Sequence, residues 1–433
     1  MKLNYKFTIL TGLAFMTIQA FWAMYDFHIP LLLKGIFGVG DDASGYIMAA
    51  DNVVALFLLP LFGTFSDRVQ TRMGRRMPFI IFGTIAAVIA MMTLPFAAGT
   101  HQFILFMVLL AIVLLAMATY RSPAVALMPD ITPKPLRSKG NAIINLMGAV
   151  GTILFLGLNM FLAPDSKHPE TANYWPIFAS VAALMVIGMV ILVFTVNEPR
   201  LVRKMRLDSA AMGIDPEEAK ETTVRVKYKL PGDVRKSMGF IFASIALWFI
   251  GYNAVSTAFS RYTVLELGMG EGMASSILLV GSIAAMIAYI PIGIIATKIG
   301  RKKTILGGIV VLAAVFASAF LYKAYTPLMY VSFALAGIAW AAINVNSLPM
   351  VLEMAKGADV GRFTGFYYTA SMAAQIFTPI LSGYLLQYVG YWTLFPYGTL
   401  FVALAFITVL KVRHGDSRPN APQNKLEAFD TAD

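Results

Sequence analysis

The sequence predicts an all-α polytopic membrane protein whose twelve transmembrane helices form two pseudo-symmetric six-helix bundles. The first observation behind this prediction is composition: the 433 residues are 58% hydrophobic and 13% charged, with a mean hydropathy of +0.72, whereas soluble domains carry about 25% charged residues. The second is a set of twelve long apolar runs, and the third is the placement of positive charge in alternate loops. Composition alone excludes an ordinary soluble protein.

Each apolar run is long enough to cross a bilayer, which takes about 20 residues of α-helix. Together they leave no stretch long enough for a separate soluble domain. The first run follows Lys2 and Lys6, but it is too long for a signal peptide and no small-residue cleavage site follows it, so we expect a retained helix. In chain order, the predicted spans cover about 8–33, 44–64, 78–97, 102–129, 141–163, 174–196, 238–260, 273–297, 304–322, 327–353, 363–386 and 391–411.

Lysine and arginine alternate between the two sets of loops. The loops on the side of the N-terminus hold 29 of the 34 basic residues and the opposite loops hold four, while Arg121 falls inside a span. Because cytoplasmic loops carry the excess of Lys and Arg, this alternation predicts that both termini are cytoplasmic in a multi-pass protein of the cell (inner) membrane. The net charge of +11 therefore needs no nucleic-acid partner.

A long hydrophilic stretch after the sixth span divides the chain into two halves. The prediction is an N-terminal six-helix bundle at 1–197, a cytoplasmic linker at 198–237, a C-terminal six-helix bundle at 238–411, and a cytoplasmic tail, expected to be disordered, at 412–433.

The two halves share features that indicate a duplicated six-helix unit. The tripeptide GRR at 74–76 follows the second span, and GRK at 300–302 follows the eighth, 226 residues later. Asp130 ends the fourth span and Glu353 ends the tenth. Matching features at a nearly constant offset are typical of an internal repeat.

The segment GTFSDRVQTRMGRR at 63–76 resembles the signature loop between the second and third helices of the major facilitator superfamily. Parallel six-helix repeats with both termini inside are also the layout of that class, in which a central cavity opens alternately to each side of the membrane. The resemblance covers the whole chain and implies the major facilitator fold.

Longer motifs narrow the resemblance. SDRVQTRMGRRMPFI at 66–80, SPAVALMPDITP at 122–133, GNAIINLMGAVGTI at 140–153 and the pair Glu198-Pro199 are similar to the glycoside-pentoside-hexuronide:cation symporters and to the sucrose-type proton symporters. The motifs imply sugar transport but do not name a sugar.

The chain departs from these families at two places. Ala55 and Leu59 stand where melibiose-type members carry an acidic pair on the second helix, so their sodium site is not carried over. Val125 stands where sucrose-type members place an arginine, while this chain has Arg121 one turn earlier.

Two acidic residues within the spans are the candidate proton-coupling groups. An ionisable side chain at membrane depth costs ~2.5–3.5 kcal/mol on insertion scales, so it is expected to face a cavity or a partner. At a rise of about 1.5 Å per residue, Asp26 lies about 27 Å along the first helix and Asp51 about 10 Å along the second. We expect one of them, Asp26 first, to exchange the proton; the alternative is a rim residue in contact with water.

A sugar presents apolar ring faces and many hydroxyls, so its site needs aromatic side chains beside neutral donors and acceptors. The resemblance implies that spans one, four, seven and ten line the cavity. Arg121 is either a clamp for sugar hydroxyls or a structural partner of Asp130 or another acid at a helix end. Each tryptophan has a role in helix packing or in the interfacial belt as an alternative. The predicted substrate-binding residues are Gln19, Trp22, Tyr25, Arg121, Asn145, Trp248, Tyr252, Asn253, Trp340, Asn344, Asn346, Tyr368 and Gln375.

The resemblance also implies that the signature loop belongs to a cytoplasmic gate. We expect Asp67 to pair with Arg362 at the start of the eleventh span, and Arg75 or Arg76 to reach Asp130. The second repeat lacks the acid of the loop, so the first half should supply most of the gate. The predicted gate residues are Gly63, Asp67, Arg68, Gly74, Arg75, Arg76, Asp130, Glu353 and Arg362.

These features favour a secondary active transporter, a proton-coupled symporter of di- or oligosaccharides or glycosides that works by alternating access. Two alternatives stay open: efflux of amphiphilic compounds, consistent with 31 Phe and 25 Met, and a membrane receptor or scaffold without transport. An enzyme is not expected because no catalytic set is visible.

The expected partners are a sugar and the lipid bilayer, with no nucleic acid, and the protein is expected to be a monomer. We expect no cofactor and no metal site, since the chain has no cysteine and its four histidines show no ligand spacing. The coupling ion is expected to be H⁺, with Na⁺ as the alternative. His28 either titrates near neutral pH or, as we expect, is hydrogen-bonded near a helix end; Asn159 and Asn173 are expected at helix ends or in loops.

Overall fold

The computed structural model describes residues 3–133, 136–164, 172–211, 231–354 and 360–416, and over these residues the chain is all-helical apart from one isolated bridge. The α-helices in the described ranges are α1 Tyr5–Gly35, α2 Asp41–Arg68, α3 Met77–Gly99, α4 Phe103–Ile131, α5 Arg137–Leu162, α6 Trp175–Thr195, α7 Glu198–Ala211, α8 Gly232–Arg261, α9 Glu271–Ile299, α10 Arg301–Ala319, α11 Leu328–Met354, α12 Val360–Tyr388 and α13 Leu394–Leu410. A π-helical turn, Tyr262–Glu266, extends α8, and a 3₁₀ turn, Tyr391–Thr393, precedes α13.

The helices form where the sequence predicts spans, because a helix is the only open element that satisfies its own backbone hydrogen bonds in lipid. Eleven helices in the described ranges are long and apolar enough to cross a membrane. The eleventh predicted span corresponds to α12, a 29-residue helix that is not among those eleven. The largest difference at an end is in α8, which begins at Gly232 rather than near 238, because a polar turn precedes the apolar run.

The predicted linker contains one element that the sequence analysis did not anticipate. Its first fourteen residues form α7, a mostly polar helix that packs against α4. Its buried residues include Glu198 and Leu201. Linker residues 212–230 and tail residues 417–433 lie outside the described residues.

The chain forms two compact units. Unit 1 takes the described residues of Met1–Gly38, Val53–Thr222 and Gly270–Ser275, and unit 2 takes those of Val39–Asn52, Thr223–Met269 and Ser276–Asp433. The first turns of α2 therefore belong to unit 2, and the first turn of α9 belongs to unit 1.

In unit 1, α1 packs along α5, α3 packs along α4, and α6 packs against both α1 and α3. The backbones of α1 and α5 touch, since a Cβ on Gly151 would lie 2.0 Å from the carbonyl oxygen of Met16. The buried hydroxyl of Tyr120 fixes α4 to α1 by donating to the carbonyl of Ala14 at 2.9 Å and by bonding Thr17 at 2.5 Å. These contacts position one face of α1.

In unit 2, α8 packs against α13 and α12, and α10 packs against α11 and α13. Gly251 allows the close approach of α8 and α13, because a Cβ there would lie 2.9 Å from the carbonyl oxygen of Gly398. The core around this contact includes Phe259, Phe316 and Trp248. The arrangement positions the aromatic and amide side chains of α8 and α11.

Candidate functional site

A polar stripe runs along α1 in unit 1. Gln19, Trp22 and Asp26 are each partly exposed, whereas Phe21 and Tyr25 between them are buried. Residues spaced by three and four share one face of a helix, so the three partly exposed side chains line a common surface. The three side chains therefore share the predicted face of α1, and Tyr25 is buried beside them.

Arg121 of α4 lies against this stripe. Its guanidinium carbon is 5.7 Å from the centre of the Trp22 ring, which is within the range of a cation–π contact. The ring also packs edge-on against Tyr25 at 5.3 Å. The indole Nε1 of Trp22 is buried and has no hydrogen-bond partner among the described residues. The site therefore holds an indole N–H donor and, close to the same ring, the guanidinium of Arg121.

Asp26 is the acidic residue of this stripe. Among the described residues it makes no hydrogen bond and no ion pair. Asp51, in the part of α2 that belongs to unit 2, is buried and accepts a hydrogen bond from Asn52 at 2.7 Å. The environments of the two candidate carboxylates thus differ, and their proton-coupling roles stay predictions.

Two rings stack in unit 2 to form a flat aromatic pair. The rings of Tyr252 on α8 and Trp340 on α11 are parallel within 8°, with centroids 3.7 Å apart. Phe249 meets Trp340 edge-on at 5.2 Å. Next to this pair in sequence, the Nδ2 of Asn253 is buried without a hydrogen-bond partner among the described residues.

The remaining predicted substrate-binding residues fall into two groups. Trp248 is 1% exposed and belongs to the core of unit 2, which favours its packing role, and Asn346 is buried and donates to the carbonyl of Ala342 at 2.9 Å. Asn344 is also buried. Those with partial exposure are Asn145 on α5, and Tyr368 and Gln375 on α12.

Arg76 is the centre of a charged network at the signature loop in unit 1. Its Nε donates to Asp130 at 2.8 Å and its Nη2 donates to Asp67 at 2.5 Å. Its Nη1 reaches the carbonyl of Gly63 at 3.3 Å and the hydroxyl of Ser66. The expected contact with Asp130 is present, whereas the expected pairing of Asp67 with Arg362 stays a prediction.

Arg75 completes the network, with Nη2 2.8 Å from Asp130. The Glu198 carboxylate, which the sequence analysis did not assign to the loop, accepts the backbone N–H groups of Arg75, Arg76 and Met77 at 2.9 to 3.1 Å. Gly74 has φ +111°, and a Cβ there would lie 2.3 Å from this carboxylate. The loop therefore requires glycine at this place.

The second repeat has a related but smaller network in unit 2. Arg301 donates to Glu353 at 2.7 Å, and Asp416 accepts the backbone N–H of Lys302 at 2.8 Å. The hydroxyl of Thr297, at the position of the missing acid, donates to a carbonyl of its own helix. Of the other predicted gate residues, Arg68 is exposed and Arg362 is exposed with its guanidinium 5.4 Å from the ring centre of Phe366.

Two buried pairings were missed by the sequence analysis. Asn159 lies in the last turn of α5 as expected, but it is fully buried and bonds His28 at 2.8 Å. Arg261, counted with a loop, is buried at the end of α8 and pairs with Asp41. Their partners lie 131 and 220 residues away in sequence, so no local pattern could have found them.

A cavity of about 510 Å³ in unit 1 does not coincide with the predicted transport residues. It lies between the start of α1, the end of α4 and α7, and its lining includes Tyr5, Thr132 and Lys204. The α1 stripe is the candidate functional site, because partly exposed polar and aromatic groups gather there. In the described residues no cluster of three or more His, Asp or Glu could hold a metal ion.

The comparisons with known proteins agree with this geometry. A family model described as MFS/sugar transport protein matches residues 10–412. A sucrose transport protein of Arabidopsis thaliana is 27% identical over 158 residues, which is 32% of this chain and 26% of that protein. A lactose permease of Lactobacillus helveticus is 25% identical over 198 residues, 40% of this chain and 31% of that protein. The matched segments thus span about a quarter to a third of these relatives.

Solved structures of the same fold match nearly the whole chain. The xylose transporter XylE from E. coli, in an inward open conformation, has a TM-score of 0.68 at 16% identity and covers 96% of this chain and 97% of its own. A D-xylose-proton symporter has a TM-score of 0.66 at 17% identity, with 95% and 97% covered. This likeness confirms the predicted major facilitator fold.

Proposed function

Because the chain belongs to the MFS/sugar transport protein family, a family of transporters rather than enzymes, we propose that it is a proton-coupled sugar symporter. In this proposal a di- or oligosaccharide or a glycoside enters with a proton by alternating access. The protein works as a monomer in the cell (inner) membrane with both termini in the cytoplasm, the orientation that its basic loops favour.

The observation that carries the proposal is the α1 stripe in unit 1. Trp22 offers a ring and a buried indole N–H without a partner among the described residues, and Arg121 lies against that ring. Sugar recognition needs such a combination, because pyranose faces stack on aromatic rings while hydroxyls need donors. In unit 2, Tyr252, Trp340 and Asn253 repeat the combination of flat rings and an amide donor.

The proposed proton-coupling group, Asp26, lies on the same stripe. Asp26 is one turn beyond Trp22 on α1, partly exposed, with neither an ion pair nor a hydrogen bond to any described residue. An ionisable group at membrane depth is a functional-site candidate by default, and a carboxylate held by no cation can gain and lose a proton within the cycle. The sugars in the names of two relatives, sucrose and lactose, are disaccharides and support the substrate class.

Transport and coupling are tested together in vesicles containing the purified protein. Under an imposed inward pH gradient, a labelled disaccharide should accumulate above its external concentration, and an uncoupler should abolish the accumulation. Accumulation that is insensitive to the uncoupler but depends on a sodium gradient would show that the coupling ion is Na⁺ rather than H⁺. Uptake of none of the sugars in a panel would contradict the substrate class.

A thermal-shift panel tests the alternatives. Sugars should raise the melting temperature by mass action, since they bind the folded state alone, and lipophilic cations should not. A shift with lipophilic cations alone would favour efflux of amphiphilic compounds. A shift with sugars but no uptake in vesicles would indicate a receptor.

A further inference from the structure

Two buried clusters of matching composition, one in each unit, hold the first turn of a helix. In unit 1 the first turn of α9 meets side chains from α1, α5 and the residue preceding α6. In unit 2 the first turn of α2 meets side chains from α8, α12 and the 3₁₀ turn preceding α13. These are corresponding elements of the two repeats, so the clusters are counterparts.

The cluster in unit 2 is built on a permanent ion pair. Arg261 Nη1 donates to Asp41 Oδ1 at 2.9 Å, and the hydroxyl of Tyr391 donates to the same oxygen at 2.9 Å. The backbone N–H of Asp41 donates to the side-chain oxygen of Gln387 at 2.8 Å. Arg261 is 3% exposed and Asp41 1%, and a guanidinium keeps its charge at any physiological pH.

The cluster in unit 1 has the same parts with one exchange. Glu271 Oε1 accepts the hydroxyl of Tyr174 at 3.0 Å, and Glu271 Oε2 lies 3.3 Å from Nδ1 of His28. Asn159 joins His28 to Ser275 in the same first turn of α9. Histidine thus stands where the other cluster has arginine. The corresponding pairs are His28 and Arg261, Glu271 and Asp41, Asn159 and Gln387, and Tyr174 and Tyr391.

The orientation of the Asn159 amide indicates where protons lie on the imidazole. The amide Nδ2 of Asn159 donates to Ser275, so its Oδ1 faces His28 and can only accept. Nε2 of His28 therefore carries a hydrogen. If that were the only one, the lone pair of Nδ1 would face a carboxylate oxygen of Glu271 in a buried site, which costs free energy. One additional proton between Nδ1 and Oε2 removes this conflict, whichever of the two atoms holds it.

Aromatic rings pack around the imidazole of His28. The rings of Phe27, Phe155 and Phe178 enclose the imidazole, with centroids 5.0 to 6.2 Å away. Among the residues that the structure describes, the titratable groups recorded in contact with His28 are Glu271 and Tyr174. The hydroxyl of Tyr174 donates to Oε1 of Glu271.

We propose that His28 and Glu271 form a proton-binding site that, when occupied, holds the first turn of α9 in unit 1, and that Arg261 and Asp41 are its pH-independent counterpart in unit 2. Docking of this turn is then strongest at low pH and weakens as the pH rises and the proton leaves. This proton is separate from the one proposed for Asp26. The proposal depends on the proposed function in one respect: alternating access supplies the motion that undocks the turn.

The absence of cysteine from the chain permits a direct test. Ala274 and Ser44 each lie three residues after the acid of their cluster and are fully buried, so a single cysteine at either place reports undocking by its labelling with a maleimide. Exposed neighbours, Met273 and Tyr46, supply matched cysteines that correct for the pH dependence of the thiol. The corrected rate for Ala274→Cys is its labelling rate divided by that of Met273→Cys. The corrected rate for Ser44→Cys is its labelling rate divided by that of Tyr46→Cys.

The corrected rate for Ala274→Cys should rise at least about threefold from pH 6 to 8, with tenfold per pH unit as the limit for one linked proton. The corrected rate for Ser44→Cys should stay constant. Adding His28→Arg should make the Ala274→Cys rate low at every pH, and adding His28→Gln should make it high at every pH. Similar pH profiles at the two positions, or an unchanged profile with His28→Gln, would overturn the proposal.

The comparison of the two positions needs no change at His28, so it decides the matter even where a His28 variant does not fold. It is made on purified protein without sugar. A protein that labels as expected but transports nothing would therefore contradict the proposed function alone, and a transporter with two constant profiles would contradict the proton site alone.

Discussion

Asp26 is the residue on which proton coupling depends in our proposal. Asp26→Asn keeps the shape and polarity of the side chain but cannot exchange a proton. We expect the variant to lose accumulation driven by a pH gradient and to keep sugar exchange between the two sides. A gradient of one pH unit supplies about 1.4 kcal/mol per proton, enough for about tenfold accumulation. In the vesicle assay the variant should only equalise the internal and external sugar concentrations.

Asp51→Asn is the matched control, because Asp51 is buried and already bonded to Asn52. It should keep gradient-driven accumulation. The reverse pattern, with coupling lost in Asp51→Asn and kept in Asp26→Asn, would exchange the roles of the two carboxylates.

Arg121 is expected to bind sugar hydroxyls through its planar fork of donors. Arg121→Lys keeps the charge but loses the planar fork of donors that lies 5.7 Å from the ring centre of Trp22. We expect the KM for sugar to rise about tenfold, equivalent to about 1.4 kcal/mol, while kcat changes less than about twofold, since the loss affects binding. Exposed Arg68 offers the control, and Arg68→Lys should leave KM unchanged. A normal KM in Arg121→Lys would leave Arg121 a structural role.

At the scale of elements, the N-terminus of α3 is held by an acid from α7. Glu198 accepts three backbone N–H groups, and a carboxylate at a helix N-terminus also interacts favourably with the helix dipole. Glu198→Gln should lower the free energy of unfolding by about 2 kcal/mol, the cost of weakening buried charge-assisted hydrogen bonds. Thermal unfolding of the purified protein measures the loss.

Asp416 provides the comparison in the second repeat, because it accepts the backbone N–H of Lys302 in a more exposed setting. Asp416→Asn should lower the melting temperature less than Glu198→Gln does. Equal decreases would mean that α7 adds nothing specific to the first repeat.

The packing of helices in unit 2 depends on Gly45, near the start of α2. A Cβ there would lie 2.2 Å from the carbonyl oxygen of Pro379 on α12, so Gly45→Ala must separate the helices. We expect destabilisation of about 1–3 kcal/mol, typical of overpacking. Gly307 on α10 has nothing within 4 Å of its Cβ position, so Gly307→Ala should raise stability by up to about 1 kcal/mol. Thermal unfolding should show a lower melting temperature for Gly45→Ala and a higher one for Gly307→Ala.

For the whole molecule, the sequence predicted the helices well and the buried charges poorly. Spans are visible because a membrane helix must be apolar over its whole length, and the signature loop is visible because its charges interrupt such runs. The contact of Arg76 with Asp130 followed from the family resemblance. By contrast, α7 is mostly polar and only fourteen residues long, so a search for apolar spans passes over it, although it packs on α4.

The buried clusters escaped prediction for a different reason. Asn159 and Arg261 are ordinary residues at helix ends when read locally, and only the fold brings them to His28 and Asp41. Trp248 shows the converse, since its spacing from Tyr252 suits a shared face, yet the structure buries it in the core of unit 2. Spacing along a helix shows which residues share a face, but not what that face meets.

The asymmetry between the repeats yields the last prediction. In unit 1 the network of Arg76 includes Asp67, whose side chain is 54% exposed, while Thr297 of the second repeat bonds only its own helix among the described residues. The predicted gate role therefore requires Asp67 to form and break contacts during transport rather than to support the fold. We expect Asp67→Ala to lower kcat for sugar transport at least tenfold with less than about a twofold change in affinity, because the lost contacts act on the rate of conformational exchange.

Thr297→Ala is the matched change in the second repeat. It should leave kcat unchanged, since the hydroxyl of Thr297 bonds a carbonyl of its own helix and the backbone hydrogen bonds of that helix stay in place. Sugar affinity is measured by thermal shift and kcat by initial uptake rates in vesicles. A normal kcat in Asp67→Ala would reduce the signature loop to an anchor that sets orientation in the membrane. Equal losses in both variants would instead mean that the two repeats contribute alike to the gate.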